Sequence, residues 1–76
     1  MLSLSPGVPI FFCTIAADMR RSFDGLARLA EEHLERSVLS GGLFVFVNKR
    51  HDRLKLLWFD GDGYCLFYKT PRRGTF

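Results

Sequence analysis

The chain has little that would support catalysis or an extracellular life. Its two cysteines, Cys13 and Cys65, are solitary and each lies inside an apolar run. Neither belongs to a CxxC pair, so a zinc ribbon and a thioredoxin-like motif are excluded. Their composition fits buried thiols in a reducing cytoplasm, with a disulfide as the alternative if they lie on neighbouring strands. No apolar stretch reaches the roughly 20 residues of a membrane span. The run VPIFFCTIAA has no preceding basic residue and is interrupted by Pro9, which argues against a signal peptide.

Catalytic constellations are also missing. His33 and His51 have no nucleophile or metal-ligating neighbours in sequence, and Ser22, Ser37 and Ser40 lack a nucleophile-elbow context. The stretch FDGDGYCLF, residues 59 to 67, looks at first like a cation loop. An EF-hand starting at Asp60 would need an oxygen ligand at its fifth position, Gly at its sixth and Glu at its twelfth, where this chain has Tyr64, Cys65 and Pro71. Two carboxylates with no following helix do not cradle phosphate either. Asp60-Gly61-Asp62-Gly63 therefore reads as a hairpin turn, with both glycines at positive φ and both aspartates bonding to nearby amides. Neither a metal nor a cofactor is expected, and the chain reads as non-enzymatic.

What is present is a small, aromatic-rich domain. Seventy-six residues with eight Phe, two Tyr and one Trp suffice for one fold, although a domain this small buries only roughly 60% of its unfolded surface. The formal charge of +3 is uneven. Residues 1 to 36 hold four basic and five acidic groups, and residues 37 to 76 hold seven and three. The basic groups concentrate in NKRHDRLK (48 to 55) and KTPRR (69 to 73), which attract phosphates or are simply a solvated turn and a solvated terminus.

Periodicity predicts an α+β fold of order β-α-β-β-β. An N-terminal strand over PIFFCT (9 to 14) is followed by a helix from about 18 to 36, with Asp18 capping its first turn. Met19, Phe23, Leu26, Ala27, Ala30 and Leu34 form its apolar stripe, and Asp24 with Arg28 and Glu32 with Arg36 are i,i+4 pairs on its outer face. Three strands follow, Leu43 to Asn48, Arg53 to Phe59 and Tyr64 to Lys69, joined by KRHD and DGDG into an antiparallel meander. Four-residue loops place Asn48 opposite Arg53 and Phe59 opposite Tyr64.

That register sorts the side chains. Leu43, Val45, Val47, Leu54, Leu56, Trp58, Cys65 and Phe67 share one face, and Phe44, Phe46, Lys55, Leu57, Phe59, Tyr64, Leu66 and Tyr68 the other. The single helix is expected over the aliphatic face. The aromatic face is then bare, which predicts a further layer: a partner chain, a homodimer or another segment.

Several stretches in order closely resemble one family over essentially the whole chain. Asp18-Met19-Arg20, Ser22-Phe23-Asp24-Gly25-Leu26, Asp52-Arg53-Leu54-Lys55, Trp58, Asp60-Gly61-Asp62-Gly63 and Cys65-Leu66-Phe67 are similar to the small accessory protein of the bacterial insertion sequence 66 elements, the Orf2 or TnpB-type protein. The resemblance implies a cytoplasmic accessory to transposition, working with a separate, larger transposase that carries the catalytic carboxylates. The usual family chain continues past RRGTF with a further helical segment, so residues 1–76 would form a single domain similar to its N-terminal part, a truncated copy.

Two functional readings stay open. In one, the accessory binds element DNA or the transposase, with Arg20, Arg21, Lys49, Arg50, Arg53, Lys55, Arg72 and Arg73 as phosphate-facing candidates. In the other, Phe44, Phe46, Phe59, Tyr64 and Tyr68 form a protein-interaction or homodimer surface. An inactive remnant is a further alternative.

Overall fold

A computed structural model describes residues 7–70. Strand β1 (Ile10–Cys13) leads through helix α1 (Phe23–Leu34) and a short 3-10 turn (Val38–Ser40) into β2 (Leu43–Val47), β3 (Leu54–Phe59) and β4 (Tyr64–Lys69). The four strands form one sheet in the order β1-β2-β3-β4. β1 and β2 are parallel, with Phe11 opposite Phe44 and Cys13 opposite Phe46. Parallel neighbours need a crossover, and the helix supplies it. The remaining pairs are antiparallel, as the meander requires.

The expected register holds. Asn48 N donates to Arg53 O at 3.2 Å, Val47 lies opposite Leu54, and Phe59 lies opposite Tyr64. The face assignment does not hold. Phe44, Phe46 and Leu57 have no exposed surface and pack against Leu26, Leu29 and Ala30 of α1. The helix therefore covers the aromatic face, not the aliphatic one. Phe11 and Cys13 of β1 join this covered face, while Ile10 and Phe12 join the other; a crossover between parallel neighbours is as a rule right-handed, which fixes the side on which its helix lies. The helix then crosses the strands, with Phe23 stacked on Tyr64 of β4 at 5.1 Å and Arg36, just beyond the helix, over the Phe11 ring of β1 at 5.0 Å. Full burial of a side chain such as Phe44 or Phe46 is worth about 1.5–3 kcal/mol.

The helix is shorter than its periodicity suggested. It starts at Phe23 behind an N-cap Ser22 that makes no side-chain cap bond. Asp18 instead closes a separate turn four residues earlier, where its Oδ1 accepts from Arg20 N at 2.9 Å. At the other end Glu35 takes a left-handed φ of 53° and stops the helix, which leaves Arg36 outside it and dissolves the expected Glu32–Arg36 helical pair. Among the described residues, the ion pairs are Arg20–Asp18 and Arg53–Asp52. Cys13 and Cys65 are free thiols on opposite edge strands, so the disulfide alternative is corrected.

Candidate nucleic-acid interface

One end of the sheet collects positive charge. The β2–β3 turn is built by Asn48, whose Oδ1 accepts from the amides of Asp52 and Arg53, both at 3.0 Å, and whose Nδ2 donates to Asp52 Oδ1 at 2.6 Å. His51 takes a left-handed φ of 59° to complete the reversal, and its N–H donates to Asn48 O at 3.1 Å. The turn thereby lifts Lys49 and Arg50 to an exposed tip. Lys69, at the end of β4, is brought alongside by its pairing with Leu54. The segment before the helix is strapped to this same end, since Ala17 N donates to Val47 O at 3.0 Å. Arg20 and Arg21 lie on that segment and are exposed.

Two carboxylates temper the cluster. Asp18 is bound by Arg20 through Nη2 at 2.8 Å; hydrogen bonding from the Arg20 side chain, then from its backbone N–H, lowers the Asp18 pKa to about 2. The Asn48 hydrogen bond, aided by the charges of Arg53 and Arg50, lowers the pKa of Asp52. Arg20 and Arg53 are thus partly neutralised, Arg21 turns its guanidinium to Gly25 O of α1 at 3.5 Å, and Lys49, Arg50 and Lys69 carry most of the positive field at this end. Lys69 is the member that strand register, more than its basic neighbours in sequence, brings into the group.

Lys55 belongs to the interior. It is 8% exposed, donates from Nζ to Arg21 O at 2.8 Å and sits over the Tyr68 ring at 5.2 Å. It therefore corrects the expectation of a phosphate contact: its ammonium ties the Arg20–Arg21 segment to the sheet. Arg72 and Arg73 lie outside the described residues. The acidic turn occupies the opposite end, where Asp60 N donates to Gly63 O at 2.8 Å and Asp62 N to Asp60 O at 2.7 Å. Backbone bonds close that turn without side-chain help, and Gly61 supplies the positive φ of 72° while Gly63 does not.

The aromatic candidates divide. Phe44 and Phe46 are buried at 0% and are corrected from surface to core. Phe59 is half-buried, in edge contact with Tyr64 at 5.6 Å, and Tyr64 and Tyr68 keep exposure at the β4 edge. Exposed apolar residues instead include Ile10 and Phe12 of β1 and Phe67 of β4, which fall on the face away from the helix by the strand registers. The parallel β1–β2 register, not periodicity within β1, places the first two there. Among the described residues no group of three His, Cys, Asp or Glu side chains is placed to hold a metal ion, and no described helix is long and apolar enough to cross a membrane. A groove of about 490 Å³ on the outer side of the helix is lined by Arg21, Asp24, Gly25, Arg28 and Glu32, charges of both signs.

The architecture is that of a small α+β domain, a β-α-β crossover extended by a hairpin and polarised in charge from end to end. The chain belongs to the IS66 Orf2-like family, whose model matches residues 8–76. It is therefore a protein of the insertion-sequence type. It is 41% identical over 76 residues to an uncharacterized protein, y4hO, and 37% identical over 76 residues to a second, y4jC, both from Sinorhizobium fredii (strain NBRC 101917 / NGR234). The whole chain is matched in both comparisons, and it spans 66% and 65% of the relatives' own length. No solved structure matches it.

Proposed function

We propose that this chain is a non-catalytic accessory in transposition of its insertion sequence, and that it contacts the DNA backbone through the basic end of the sheet. The carrying observation is the convergence of Lys49, Arg50 and Lys69 at one end, with Asp60 and Asp62 held at the other. Such a dipolar distribution orients the domain toward a polyanion, and contacts to phosphates fix position without reading sequence. Each phosphate neutralised makes log K fall with log salt by a slope of about 0.9. Titration of duplex DNA from the element end at two salt concentrations tests this reading. Affinity that falls with salt, and a slope that shrinks by about 1 in Lys49→Ala, supports it; absent or salt-independent affinity overturns it.

A second reading is favoured by the exposed Ile10, Phe12 and Phe67 on the sheet face opposite the helix. Here the accessory contacts the transposase through an apolar surface. Co-purification with transposase that is lost in Phe12→Asp, with DNA affinity unchanged, supports this mode.

A further inference from the structure

Among the described residues, the ladder leaves β4 with an open edge of defined register. Asn48 N to Arg53 O marks a hydrogen-bonded pair at one turn, and Asp60 N to Gly63 O marks another at the next. Bonded and non-bonded pairs alternate along antiparallel strands. With Phe46 opposite Lys55 and Trp58 opposite Cys65, Lys55 and Leu57 bond to β2, and Leu54, Leu56 and Trp58 bond to β4. The backbone groups of Cys65, Phe67 and Lys69 therefore turn toward β3. Those of Tyr64, Leu66 and Tyr68 turn outward.

The two sheet edges are protected unequally. β1 has four residues and follows Pro9, both of which discourage pairing with a further strand. β4 has six residues, no proline, no glycine and no charge before Lys69. Its Tyr64, Leu66, Phe67 and Tyr68 are 37–52% exposed.

We propose that β4 pairs antiparallel with β4 of a second copy of this chain, about a two-fold axis through Leu66. An axis normal to the sheet keeps each face on its own side, so it must pair residues of like parity. Centring on Leu66 is the register that engages the outward backbone of Tyr64, Leu66 and Tyr68 together, each Tyr64 opposing Tyr68 of the other copy. Charge selects the direction. Lys69 stands at one end of β4 and the Asp60–Asp62 turn just before the other, so antiparallel pairing brings each Lys69 beside Asp62 of the second copy. Parallel pairing would oppose Lys69 to Lys69. The cross-strand neighbours are otherwise apolar or aromatic, and the two helices lie on one side of a continuous eight-stranded sheet. The acidic turn thereby becomes the charge partner of a dimer. This inference rests on the strand edge and not on DNA binding, although Lys69 takes part in both.

Sedimentation of the full chain over a concentration series tests it. A reversible dimer is expected. Leu66→Pro removes an outward N–H without touching the β3–β4 ladder, which edge strands tolerate, and is expected to weaken dimerisation by about tenfold or more. Phe67→Cys sets the introduced thiol opposite Cys65 of the second copy, in a non-bonded pair with Cα atoms about 4.5 Å apart. Mild oxidation should then give a covalent dimer that wild type does not form. Should Leu66→Pro lose its circular-dichroism signature, the Phe67→Cys link decides. A monomer at every concentration, a dimer indifferent to a folded Leu66→Pro, or a dimer that Phe67→Cys fails to link overturns the proposal.

Discussion

The Nζ of Lys55 donates a 2.8 Å hydrogen bond to the carbonyl oxygen of Arg21, thirty-four residues earlier in the chain. A cation from the sheet thus fastens the loop that carries two arginines, and its charge is spent inside the fold. Lys55→Met is expected to destabilise the domain by about 1–3 kcal/mol, the range for breaking a hydrogen bond to a charged group. Because Lys55 meets no phosphate in the proposed complex, the salt slope of DNA binding should stay unchanged in Lys55→Met. Lys49→Ala should reduce that slope by about 1 without a change in melting temperature. Chemical denaturation paired with salt titrations checks both.

Phe46 has no exposed surface and packs beneath α1. Phe46→Asp buries an unpaired carboxylate and opens a cavity, at a cost of more than about 4 kcal/mol. Stability of a domain this size is on the order of 4–11 kcal/mol, so the variant should be unfolded or nearly so. Phe46→Leu, by contrast, should cost about 1–3 kcal/mol and stay folded. Circular dichroism and thermal melts distinguish these outcomes from a dissociated but intact fold.

Gly41 and Gly42 both have positive φ, 99° and 101°. A Cβ at Gly41 would meet nothing within 4 Å, whereas one at Gly42 would come within 2.8 Å of the Phe11 ring and 3.2 Å of Pro9 O. Gly41, at φ 99° and ψ 170°, lies in a region essentially restricted to glycine, so Gly41→Ala should cost about 1–3 kcal/mol from backbone strain alone. Gly42→Ala should cost clearly more, because the ring is itself packed at a tilt against Phe44, 5.0 Å between centroids, and has little room to retreat. Equal melting temperatures for the two variants would contradict the close approach of this loop to β1.

Acid should weaken the fold through Asp18 and Asp52. Both carboxyls have folded-state pKa values below their unfolded values, Asp18 at about 2 against 3.8. Their contribution is therefore present above pH 4 and lost as pH falls through the folded pKa. Stability is expected to decline between pH 4 and about 2. Asp18→Asn should flatten that decline, and Asn48→Ala should do so through Asp52. Denaturation midpoints measured down this pH series give the comparison.

Strand positions, hairpin turns and register were legible in the sequence because each depends on local signals. KRHD and DGDG punctuate apolar runs, and a period of two then assigns every side chain to a face. The helix boundaries were less legible, since Met19 continues the apolar stripe although residues 18–21 form a turn of their own around Asp18. Nothing local marks Glu35, a non-glycine residue, as the left-handed stop. The basic turn was visible as a charge cluster, but the demotion of Lys55 required a contact across thirty-four residues.

The sequence by itself determined the order of the helix and the four strands and the pairing within the meander, which follow from local patterning, and its motifs taken in order carried the family resemblance. Which sheet face the helix covers was decided only in three dimensions. Both faces are apolar, so alternation alone cannot rank them. A β-α-β crossover between parallel neighbours is as a rule right-handed, so the docking of β1 beside β2, which alternation within one strand does not reveal, fixes the side that α1 covers. The same tertiary choice turned the aromatic strand interior into core and left the β4 edge, with its outward backbone at Tyr64, Leu66 and Tyr68, as the surface open to a second chain.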